Sequence, residues 1–114
     1  MVRIAIVVLF VACRGTGGDA APPCGAVAAK FVDIAKYELA SARPDDATQR
    51  AVSDQLPAMR DALAQACADG KWSAETRKCL VRANDHVGFE SCEQQLTDGQ
   101  RGDLDRASRG TLSP

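Results

Sequence analysis

The stretch VSDQLPAMRDALAQAC, Val52 to Cys67, decides the fold class. Its apolar side chains Val52, Leu56, Met59, Leu63, Ala66 and Cys67 recur at spacings of 4, 3, 4, 3 and 1, which sets them on one stripe of a 3.6-residue period. Pro57 falls inside the run, where it removes the hydrogen bond to the Ser53 carbonyl and crowds that oxygen. Two arrangements meet that constraint. One is a long helix from about Asp46 that kinks near Ser53; the other is a fresh helix capped by Asp54 with Pro57 in its first turn. The long helix is expected, because Val52 and Leu56 stay in phase across the proline.

Working outward, the segment from Cys24 to Ala42 carries Val27, Phe31, Ile34 and Ala35 at helical spacing, with Cys24 on the same stripe. Pro44 separates the two segments, and Asp45 and Asp46 offer acceptors and negative charge suited to a helix start. On the other side, Asp69-Gly70 ends the central helix and Ser73 is placed to cap the next, whose buried side is Thr76, Cys79, Leu80 and Ala83. Asn84 to Gly88 reads as a turn, followed by a short helix with Phe89, Cys92, Glu93 and Leu96. Thr97 and Asp98 cap a last turn or two containing Leu104, and residues 107–114 read as a frayed tail. Neither strand alternation nor a long internal repeat occurs. The expected fold is an all-α, disulfide-stapled bundle of about four helices over residues 24–106.

Cys24, Cys67, Cys79 and Cys92 are an even set in a domain of this size, and they allow three pairings. If the first two helices form an antiparallel hairpin, the start of one meets the end of the other and Cys24 pairs with Cys67. The same logic across the next loop pairs Cys79 with Cys92. The alternative leaves one pair reduced and merely packed. No C-x-x-C is present, which argues against a thioredoxin-like redox motif or a paired-knuckle zinc site.

Composition narrows function by exclusion. Fourteen Lys and Arg against fifteen Asp and Glu leave a net charge of -1, so nucleic-acid binding lacks its electrostatic footprint. The single histidine, His86, has Asp85 beside it to orient a base, yet with the cysteines bridged it has no thiol to activate, and it reads as a solvated turn residue. Asp45, Asp46, Asp98, Asp103 and Asp105 lack calcium-loop spacing, and Gly15-Thr16-Gly17-Gly18 lacks the Lys of a phosphate loop. No catalytic residue, metal site or cofactor is expected. Trp72 reads first as a core staple and second as a surface anchor for a partner. Arg77, Lys78 and Arg82 cluster as a second candidate contact for an anionic partner, with Glu75, Asp85 and Glu90 nearby favouring an ordinary mixed surface.

The N-terminus opens with MVRIAIVVLFVAC: Arg3, then nine apolar residues from Ile4 to Ala12, then Cys13. A membrane span needs about 20 apolar residues and an export signal only about 7 to 15, so the run suits export. Phe10-Val11-Ala12-Cys13 resembles the lipobox of bacterial lipoproteins, with Phe10 where that family prefers Leu. The resemblance implies that residues 1–12 are a cleaved signal peptide and that the Cys13 thiol carries a diacylglycerol. It further implies, with Arg14 following the cysteine, passage to the outer membrane. Residues 13–23, CRGTGGDAAPP, then read as a flexible tether, with the domain facing the periplasm. An ordinary secretory signal cut after Ala20 is the alternative, leaving a secreted domain. The spacing C-x4-W-x6-C-x12-C resembles small exported helical domains of unassigned function, which implies no mechanism. The functional expectation is a non-enzymatic, membrane-tethered module for an unidentified protein partner, with a small carrier of an apolar ligand as the alternative.

The anchor is open to a direct test. The intact mass of membrane-extracted protein from a bacterial host is expected to match residues 13–114 plus acyl chains, and Cys13→Ser is expected to abolish that species. A soluble product beginning near Ala21 would exclude the lipoprotein reading.

Overall fold

The computed structural model describes residues 21–112, with side chains described through Gly110. The signal segment, Cys13 and most of the tether lie outside the described residues. Five helices follow in order: α1 (Cys24–Ala42), α2 (Asp46–Asp69), α3 (Ala74–Arg82), α4 (His86–Glu93) and α5 (Asp98–Leu112). The described residues contain no strand, as the all-α expectation requires; the helix count is five rather than about four.

Helices α2 to α5 each start on a side-chain cap, whereas α1 starts at Pro23 without one. The Asp45 carboxylate accepts from the Thr48 N–H at 2.7 Å and Ser73 Oγ accepts from the Thr76 N–H at 3.2 Å, satisfying amides that have no partner inside the helix. Asp85 likewise accepts from the Gly88 N–H at 2.7 Å, so α4 begins at His86, inside the segment read as a turn. Helix α2 runs unbroken through Pro57, in agreement with the phase of its apolar stripe.

The largest departure is α5. Its 15 residues replace the expected turn or two and extend into the segment read as a frayed tail. Three observations account for it. Thr97 and Gln100 cap reciprocally: the Gln100 N–H donates to Thr97 Oγ1 at 3.1 Å and the Thr97 N–H to Gln100 Oε1 at 2.9 Å. Asp98–Arg101, Asp103–Arg106 and Asp105–Arg109 are ion pairs one turn apart along the helix. Finally, Gln100 Nε2 donates to the Gly70 carbonyl at 2.8 Å, fastening the start of α5 beside the end of α2, against which α5 packs.

The core joins all five helices through Val27, Ala28 and Ile34 of α1, Leu63, Ala66 and Cys67 of α2, Leu80 of α3, Phe89 and Cys92 of α4, the loop residues Trp72, Ala83 and Leu96, and half-buried Leu104 of α5. Cys24 is bonded to Cys67, tying the start of α1 to the end of α2, and Cys79 to Cys92, tying α3 to α4, with Cα separations of 5.7 and 5.6 Å. By loop closure the longer bridge contributes about 4 kcal/mol and the shorter about 3, comparable to the whole stability of a small domain.

Trp72 is 3% exposed, so its indole serves the core and offers no surface to a partner. Its neighbour Gly70 explains the fit. Gly70 has an ordinary negative φ of -79°, and Lys71, at φ 49°, takes the left-handed turn instead. A Cβ at Gly70 would stand 2.9 Å from the Ala66 carbonyl oxygen and 3.0 Å from the indole nitrogen, so glycine is required here for close approach. Helix propensity alone would favour alanine by up to about 1 kcal/mol. Overpacking of about 1–3 kcal/mol outweighs it, and Gly70→Ala is expected to lower stability, read as a lower urea midpoint with an unchanged m-value.

Candidate functional site

The cationic cluster proposed from the sequence divides in the structure. Arg77 is consumed internally: its Nε donates to the Trp72 carbonyl at 3.2 Å and its Nη1 to the Pro22 carbonyl at 2.9 Å. It thereby clamps the end of the tether to the start of α3. Lys78 and Arg82 remain together on α3, in a depression shared with Glu75 and the Cys79–Cys92 bridge. His86 faces Glu90 rather than Asp85, with Nε2 3.0 Å from Glu90 Oε1, and its backbone N–H donates to Glu38 Oε1 of α1 at 3.1 Å. Asp85 is occupied as the α4 cap. No group of three or more His, Cys, Asp or Glu able to hold a metal occurs among the described residues, and no described helix is long and apolar enough to cross a membrane.

A different feature emerges from packing. A cleft of about 440 Å³ opens where α5 lies over α2 and α4, with Phe31 of α1 at its edge. Its apolar lining is Phe31, Met59, Leu63, Phe89 and Leu104. Leu63 and Phe89 also belong to the core, and the Phe31 and Phe89 rings sit 5.9 Å apart in a tilted pair, which gives one wall a fixed shape. Glycine at position 102 leaves the α5 wall without a side chain at that point. The volume lies within the range of small-ligand sites, about 300–1,000 Å³.

Three charged side chains border the cleft, and their situations differ. Arg101 of α5 is engaged by Asp98 and by Gln94 Oε1, the latter at 3.2 Å. Asp105 pairs with Arg109 at 2.6 Å. Glu93 of α4 is half-buried, and its carboxylate has neither a hydrogen bond nor an ion pair among the described residues. Burial lifts its pKa above the ordinary glutamate value of 4.5; the negative charge of Glu90 adds to the rise and His86 opposes it. From the sequence, Glu93 was only one position on the apolar edge of a short helix. Half of the residues that line the cleft come from α5, the helix that periodicity does not reveal. The capping pattern Thr97-x-x-Gln100 and the Asp/Arg spacings that follow were the available signals.

No protein-family model matches the chain, and neither curated proteins nor solved structures supply a relative.

The raised pKa of Glu93 has a defined sign. Between pH 4.5 and its higher folded value, the native state holds a proton that the unfolded chain has released, so stability falls as pH rises through that window and stays lowered above it. Glu93→Gln removes the cost of burying the charge. The variant is expected to melt at a higher temperature than wild type near neutral pH, with the difference shrinking below pH 4.5, as read by circular dichroism.

Proposed function

We propose that this protein is a small non-enzymatic binding module of the bacterial cell envelope, tethered to the outer membrane through a lipid on Cys13, that holds an apolar ligand in the cleft between α2, α4 and α5. The cleft is the single observation that carries the reading: five apolar side chains line it, and its walls belong to a bundle braced by two disulfides. The α1, α2 and α4 side of the cleft, so braced, meets a ligand with little ordering cost, because the entropy was already lost on folding. The two bridges also suit an oxidising, exported location, and the N-terminal resemblance supplies the tether.

A second reading, a scaffold for a protein partner, has its own support. Tyr37 and Val87 are 72% and 70% exposed, and they flank in sequence the Glu38–His86 hydrogen bond that joins α1 to α4. Large apolar groups left in water at such a junction suit contact with another surface.

Nile red separates the two. A carrier is expected to take up the dye saturably, with a blue-shifted emission, and Gly102→Leu is expected to abolish uptake by filling the α5 wall while leaving the melting temperature at or above wild type, since leucine also favours the helix over glycine. A dye signal that fails to saturate, or that survives Gly102→Leu, would favour the scaffold.

A further inference from the structure

The cleft combines an apolar lining with one half-buried carboxylate that has no protein partner, and this asymmetry says more than the volume does. A ligand that lies along Phe31, Met59, Leu63, Phe89 and Leu104 shares the cleft with the charged side chains that α4 and α5 contribute to its lining. There it meets Glu93, whose carboxylate has no protein donor, together with Arg101, whose charge is paired with Asp98 and whose Nη1 also donates to Gln94, and Asp105, already paired with Arg109. The formal sum of these three is -1, and the charge left unbalanced is the one on Glu93. No charged residue of α1 or α2 lines the cleft. Outside it, Glu90 and His86 on α4 act on Glu93 with opposite signs and with each other form a pair.

From this arrangement we infer that the cleft takes a cationic amphiphile, an aliphatic chain ending in an amine, with the ammonium group donating to Glu93. The inference deepens the carrier reading and rests on it. A fatty acid fits the apolar lining equally well but would set its carboxylate against Glu93, and the one cation lining the cleft, Arg101, already has its charge paired with Asp98. Charge complementarity therefore decides between two ligands of the same shape. The unpaired carboxylate also has a cost in the ligand-free protein, since burial disfavours its charged form. A residue that weakens the empty domain and strengthens the occupied one is the expected signature of a binding group.

The test uses the full chain, oxidatively refolded without detergent, and three ligands of one chain length below their micellar concentrations: decylamine, decanol and decanoate, titrated by calorimetry near neutral pH. Decylamine is expected to bind about tenfold or more tightly than decanoate, as a charge-assisted hydrogen bond of about 1.5–3 kcal/mol implies. Glu93→Gln is expected to erase that preference while decanol binding stays unchanged, and its melting curve shows independently that it is folded. Glu75→Gln, which removes one acidic charge on α3 away from the cleft, is expected to keep the preference. Decanoate binding as tightly as decylamine would overturn the inference and leave the apolar carrier standing. A preference that survives in Glu93→Gln would overturn it as well, by assigning the selectivity to surface charge. Absence of binding by all three would overturn the inference and the carrier reading together.

Discussion

The bond between Cys24 and Cys67 joins the first residue of α1 to the last turn of α2, and the rest of the domain assembles at that end. Cys67 is fully buried, and its carbonyl accepts from the Trp72 N–H at 3.2 Å, so the chain turns back over the bridge as soon as α2 stops. Gly70 lets the indole close on the helix end, Gln100 reaches the Gly70 carbonyl to seat α5, and Arg77 holds both the Trp72 and the Pro22 carbonyls. A chain with so few large apolar side chains would gain little from burial alone. Covalent closure lowers the entropy of the unfolded chain and lets a modest core suffice.

One consequence reaches the cleft. Helix α5 has little apolar surface of its own, and its exposed ion pairs contribute only about 0.3–0.5 kcal/mol each. It stands where it does because its reciprocal cap and the Gln100–Gly70 hydrogen bond fix its start beside the braced end of α2. Once seated, it supplies Arg101, Gly102, Leu104 and Asp105 to the cleft. The site is thus assembled from the best-anchored and the least apolar helices of the fold, with Glu93 presented between them from α4. The charges that α5 brings to the cleft are already paired, and the one that α4 presents there is not.

Much of the architecture was legible along the chain. The 3.6-residue stripes in α1 and α2 identify helices because only that period buries those side chains together, and Asp45 and Ser73 mark helix starts because a short polar side chain is what unpaired amides need. The phase of Val52 and Leu56 carried α2 across Pro57. Helix α5 was not legible from periodicity: Asp98–Leu112 has no continuous apolar stripe, and its stability comes from a cap, from charge spacing and from contact with α2. His86 was read as a turn residue beside Asp85 for a related reason, since sequence adjacency does not reveal that Asp85 faces the Gly88 amide and His86 faces Glu90.

Interactions between neighbours along the chain set the helical periods, the caps and the break at Pro44, and four cysteines supply two bridges. Tertiary structure decided what depends on approach between distant segments. It buried Trp72 against Gly70, turned Arg77 from a surface cation into a clamp on Pro22, and brought α5 over α2 and α4 to frame a cleft around Glu93. The physical reason is the range of the forces involved. Backbone hydrogen bonding and side-chain spacing act within a few residues, whereas the shape of a cleft and the charge left unpaired in it exist only once separate helices are held against one another.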